Sequence, residues 1–123
     1  MPFPLWLFKF VPFGRRSEIA GARYLRNLGF RIVASPYRVK TGEIDIVAWD
    51  GDVLVFVEVK ARRSDAPPED NVGERKRQRV KSAARAYLSQ YKLHQSSYRF
   101  DVLSVNELAG TNPEYRLMRD AFR

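Results

Sequence analysis

Residues 53–61, VLVFVEVKA, restrict the folds open to this chain more than any other stretch. At the two-residue period of a strand, Val53, Val55, Val57 and Val59 point one way and Leu54, Phe56, Glu58 and Lys60 the other. Apolar residues on both faces mark a central strand covered on both sides. Residues 43–49 read as the preceding strand, with Ile44, Ile46 and Ala48 on one face and Glu43, Asp45, Val47 and Trp49 on the other. Asp50-Gly51-Asp52 joins the two as a hairpin, with the tight turn at Asp50-Gly51. Past Glu43 at its start, three charges interrupt this apolar unit: Asp45 on the first strand, Glu58 and Lys60 on one face of the second. A charge inside such a strand is costly unless something satisfies it.

The flanking segments supply the covering layers. Ile19, Ala22, Leu25 and Leu28 form a stripe that predicts a helix over residues 17–28, with Ser17 as its cap and Gly29 as its left-handed stop. Residues 30–34 form a short β-prone run, broken by Ser35-Pro36-Tyr37 because proline cannot donate to a ladder. Residues 64–73 have the composition of a loop. Residues 74–91 form the clearest helix. Val80, Ala83, Ala84, Tyr87, Leu88 and Tyr91 lie on its apolar side, and Arg75, Lys76, Arg77, Arg79, Lys81 and Arg85 on its opposite side and first half. Residues 97–105 read as a further strand, with Tyr98, Phe100 and Val102 on one face and Asp101 on the reverse, where a basic residue can pair with it. Residues 114–118 add an edge strand, after which residues 119–123 fray. A hairpin feeding a helical crossover describes an α/β domain but leaves the strand order open.

The chain has 123 residues, 45% of them hydrophobic, which suits one domain over residues 14–123 with a single moderate core. Residues 1–13, MPFPLWLFKFVPF, form an aromatic N-terminal arm that packs on the domain, serves self-association or recruitment by a partner protein, or touches a membrane. Lys9 interrupts it and no small-residue cleavage site follows, so it is a poor signal peptide. No run reaches the ~20 apolar residues that span a bilayer, so stable membrane insertion is not expected. With no cysteine there is no disulfide framework and no thiolate metal site, which fits the cytoplasm. His94, the one histidine, reads as a surface residue, which leaves nothing to build a zinc site. Twenty-two Lys and Arg against fourteen Asp and Glu leave a net charge of +8, which draws the chain towards polyanions, nucleic acid first.

Oxygen ligands point to a hard cation. Mg²⁺ (or Mn²⁺) prefers carboxylates and water and can serve phosphodiester hydrolysis. Asp45 and Glu58 are the candidate ligands, and the carbonyl of Val59 is a third. Lys60 can orient the attacking water or stabilise developing negative charge. Glu18 either complements the dipole of its helix from the first turn or joins the metal side. The simpler account of Asp45, Glu58 and Lys60 is a structural salt-bridge cluster. Arg38, Lys40, Arg62 and Arg63 near the centre, with Lys76, Arg77 and Arg79 on the second helix, are candidates for phosphate contacts, or for a solvated face.

Two motifs carry a resemblance: Gly42-Glu43-Ile44-Asp45-Ile46-Val47-Ala48, then Val55-Phe56-Val57-Glu58-Val59-Lys60-Ala61-Arg62. With Glu18, Gly29-Phe30, Lys76, Ala83-Ala84, Tyr87-Leu88 and Arg99-Phe100-Asp101-Val102, they resemble the YraN family (UPF0102) over residues 14–105. That family is similar to the archaeal Holliday-junction resolvases and the restriction-endonuclease-like superfamily. The resemblance implies a mixed β-sheet of four to five strands flanked by helices, and a metal-dependent endonuclease acting on DNA, on branched or damaged DNA in particular. It assigns Asp45 and Glu58 to the acidic pair, Lys60 to the lysine and Glu18 to the helix-borne glutamate. A resolvase-like role also implies a homodimer. Ser17, Ser35-Pro36 and residues 66–72 depart from the family pattern, and the aromatic arm is outside it.

Overall fold

The computed structural model describes residues 13–63, 72–108 and 112–123, so residues 1–12 of the arm and 64–71 of the loop lie outside it. Among the described residues, seven strands and two helices follow one another. Helix α1 (Phe13–Asn27) leads into β1 (Arg31–Ala34), β2 (Tyr37–Val39), β3 (Gly42–Ile44), β4 (Ile46–Asp50) and β5 (Val53–Arg62). Helix α2 (Glu74–Gln90), β6 (Tyr98–Asn106) and β7 (Glu114–Phe122) complete it. The main sheet is five-stranded and mixed, in the order β1-β4-β5-β6-β7, and β2 and β3 form a second, two-stranded sheet.

The doubly apolar strand is central, as its periodicity requires. β5 pairs antiparallel with β4 and parallel with β6. A parallel pair needs a crossover, and α2 provides it. One face of the sheet buries Leu54, Phe56, Phe100 and Val102 against Val80, Ala83, Ala84, Tyr87 and Leu88 of α2. The other buries Val55, Val57, Leu103 and Val105 with Ala22 and Leu25 of α1. No helix among the described residues is long and apolar enough to cross a membrane.

Several local expectations are corrected. Residues 43–49 are not one strand. The chain bends at Asp45, leaving the small sheet and entering the large one. The bend resets the alternation, so Ile44 joins Val47 on the α2 side while Ile46 and Ala48 face α1. The hairpin turn falls one residue later, because Asp50 still pairs with Val53 and Gly51-Asp52 close the loop. Helix α1 is already helical at Phe13, so Ser17 is a buried interior residue rather than a cap, and Glu18 is not in the first turn. Gly29 does end the helix, at φ 98°. The Phe30 N–H reaches the Leu25 carbonyl at 3.0 Å and the Gly29 N–H the Arg26 carbonyl at 2.9 Å, a Schellman closure. Leu28 lies within that closure, beyond the packed turns, and is 46% exposed. Tyr91 likewise caps α2 from outside and is 51% exposed.

The chain end does not fray. β7 runs to Phe122, whose ring stacks on Phe100 at 5.0 Å. A register shift opposite Phe100 and Val102, with Asp120 at φ 52°, swings Phe122 into the core. Asp101 is buried and pairs with Arg99 at 2.9 Å, as its neighbourhood suggests, and also accepts the Asp120 N–H at 2.9 Å. His94 is exposed, as read.

The β2–β3 sheet lies against α2. Gly42 is what lets it approach: a Cβ there would stand 1.9 Å from the backbone oxygen of Arg79. Backbone cannot yield as a side-chain tip can. Gly42→Ala should therefore cost about 2 kcal/mol or more of stability, read as a lower urea midpoint at unchanged slope.

Candidate active site

The bend at Asp45 aims its side chain back at β5. The β4–β5 ladder ends at Ile46 opposite Val57, which leaves Asp45 facing the next step, at Glu58. Asp45 Oδ2 accepts the Val59 N–H at 2.8 Å, and the Asp45 carbonyl accepts the Ser35 hydroxyl at 3.1 Å. Both faces of the bend are thus pinned. Asp45 is 5% exposed and Glu58 2%. Glu58 Oε2 lies 3.1 Å from Lys76 Nζ, while Oε1 is buried with no hydrogen-bond partner.

Two carboxylates in one apolar recess raise each other's proton affinity. Burial pushes the Asp45 carboxyl up to about 6; the Val59 N–H opposes this, and the charge of Glu18 adds to it. Burial, and then the Asp45 charge, push Glu58 up to about 8, with Lys76 pulling the other way. Burial alone would lower Lys76, but the Glu58 carboxylate outweighs it and raises the ammonium's pKa. Glu18, from α1, pairs with Arg15 at 2.9 Å, and its charge also bears on Asp45. Glu58, Val59, Lys60, Val72, Gly73 and Lys76 line a cavity of about 240 Å³ between the end of β5 and the start of α2.

The structure thus brings Glu18, Asp45, Glu58 and Val59 together and sets Lys60 on the cavity wall beside Glu58. Lys76 stands in the site, on a carboxylate, and not only on an outer basic track. The sequence offers one partial signal, a cation in the first turn of a helix, where the dipole disfavours it, and Arg75 shares that signal. The other basic candidates are dispersed. Arg38 pairs with Glu43 at 2.9 Å on the small sheet, and Lys40 is exposed beside it. Arg62 is half-buried at the end of β5, and Arg63 and Arg79 are exposed. Arg77 donates to the Val72 carbonyl at 2.7 Å and lies over the Phe122 ring at 5.6 Å.

Among the described residues, no three His, Cys, Asp or Glu side chains are arranged to hold a metal ion. What the site offers is the carboxylate pair and the backbone beside it. Its all-oxygen donors and the orphaned Glu58 Oε1 fit a hard cation that keeps several of its waters, as Mg²⁺ does.

The model of a family described as "Uncharacterised protein family UPF0102" matches residues 17–105, a span that contains Glu18, Asp45, Glu58, Lys60 and Lys76. A UPF0102 protein of Solibacter usitatus is 43% identical over 113 residues, covering 89% of this chain and 84% of that protein. One from Syntrophus aciditrophicus is 42% identical over 111 residues, covering 89% and 87%. One from Hahella chejuensis is 37% identical over 124 residues, covering 99% and 98%.

A carboxyl whose pKa is higher in the folded state stabilises the fold when protonated and withdraws that stability as pH rises through the folded value. For Glu58 the window runs from its ordinary ~4.3 to about 8. In chelator, Glu58→Gln should be more stable than the parent by roughly 1–3 kcal/mol at pH 8, and equal to it below about pH 4.5, by urea melts across that range.

Proposed function

The chain belongs to the uncharacterised protein family UPF0102, and on that premise we propose that it is a Mg²⁺- or Mn²⁺-dependent endonuclease that hydrolyses DNA phosphodiester bonds. Its five-stranded mixed sheet with a helix on each face matches the restriction-endonuclease-like α/β fold. The observation that carries the reading is the buried pair itself. Asp45 is locked to the backbone of Val59, and beside it Glu58 keeps one oxygen unsatisfied. Such an arrangement calls for a cation.

Asp45, Glu58 and the Val59 carbonyl would hold the ion, which when bound offsets charge on the phosphoryl group. Glu18 brings a further negative charge beside Asp45 from α1, which a bound cation would offset. Lys60 would orient the attacking water and counter negative charge developing in the transition state. Arg75, Lys76, Arg77 and Arg79 crowd the first two turns of α2, the end where the dipole disfavours cations, and no basic residue occupies the last turn. A bound phosphate backbone relieves that arrangement, with Arg38, Lys40, Arg62 and Arg63 extending the contact. Cleavage of branched DNA on two strands calls for a homodimer. The lack of cysteine fits action in the cytoplasm.

A second reading has its own support. With no third acidic or imidazole ligand among the described residues, the fold can serve as a nucleic-acid-binding module without cleavage. Purified protein should cut at least one of a panel of duplex, flapped and four-way-junction DNAs with Mg²⁺ or Mn²⁺. Chelator should stop it, and Asp45→Asn should slow it by about a hundredfold or more. Failure to cut any substrate with either ion, alongside salt-sensitive binding, would establish the second reading instead.

A further inference from the structure

Lys76 is in direct contact with the buried pair, and its contact is uneven. Glu58 is 2% exposed and fixed in the central strand, whereas the Lys76 side chain is 52% exposed on a long flexible stem. The carboxylate cannot move and the ammonium can. The contact is also incomplete: it satisfies Oε2 and leaves Oε1 buried and orphaned, with Asp45 adding a second carboxylate. Both partners face the same cavity of about 240 Å³, room for several waters at ~30 Å³ each or for a phosphate group. Lys60 shares that wall. Finally, Lys76 occupies the first turn of α2, where the helix dipole disfavours it, so its position rests on whatever anion it touches.

Resting on the metal-dependent reading above, we propose that Lys76 is an exchangeable counter-ion of Glu58. It competes with the divalent cation for that carboxylate and turns to the substrate phosphate when displaced. Two cations that share one site weaken each other's binding by the same factor. Lys76 therefore lowers the metal affinity of the free protein, and substrate, by drawing the lysine away, restores it. The site in this way favours loading when nucleic acid is present.

The test is calorimetry of Mn²⁺ binding to the DNA-free parent, Lys76→Met and Lys76→Gln, with Lys60→Met measuring the general effect of removing one nearby charge. Both Lys76 variants should bind Mn²⁺ about tenfold more tightly than the parent, beyond any gain in Lys60→Met. A merely structural lysine predicts the opposite sign, since its loss would loosen Glu58. Affinity equal to or weaker than the parent's, or a gain no larger than that of Lys60→Met, overturns the proposal and leaves the nuclease reading standing. No Mn²⁺ binding by any of the proteins overturns both. A crystal structure of the parent with Mn²⁺ needs no variant to fold. It should show Lys76 Nζ more than 4 Å from both Glu58 oxygens, and persistence of the 3.1 Å contact beside bound Mn²⁺ counts against exchange.

Discussion

Two carboxyl groups are held inside an apolar sheet, and much of the structure can be understood as the means of tolerating them. Asp45 and Glu58 are both nearly excluded from solvent. Hydrophobic packing alone would expel them. The hydrogen bond from the Val59 N–H to Asp45 answers part of the cost, and the Lys76 ammonium on Glu58 answers another part. These two contacts rest on three constraints: the ladder register of β5, the bend between β3 and β4, and the first turn of the crossover helix. Shift any one and a buried carboxylate loses its partner.

How much of this was legible in the chain depends on the range of the interaction. The faces of β5 followed from a simple two-residue period, as did its central place, because nothing interrupts that period between Val53 and Arg62. The same logic misassigned Ile44, since alternation counts residues and cannot register a bend. Asp45 and Glu58 were visible as charges out of place, and the register needed to bring them together was the shortest one a hairpin allows. Lys76 was harder. Among several basic neighbours, composition does not distinguish a lysine that faces solvent from one that faces a carboxylate across a cavity. Ser17 has the chemistry of a cap, yet the helix runs past it to Phe13 and leaves it buried. The chain end failed for a related reason: Phe122 earns its order from Phe100, a contact twenty-two residues away that no local propensity encodes.

The small sheet links the two halves of the site. β3 enters directly into the bend at Asp45, and its first residue, Gly42, rests on the backbone of α2 three residues beyond Lys76. The acid on one strand and the ammonium on the helix are therefore set by one backbone contact. The Arg99 network with Asp50 and Asp101 does comparable work at the other end of the sheet, tying the hairpin turn to β6 and, through Arg119, to β7.

The two irregular edges have a further consequence. In β1 the pairing slips at Ile32–Ala34, and in β7 the slip surrounds Asp120, so each outer strand carries its own bulge. A bulged, charged border is a poor template for another strand. Two copies of this chain are thereby discouraged from fusing their sheets into one continuous ribbon, which is also the route by which exposed strand borders seed aggregation.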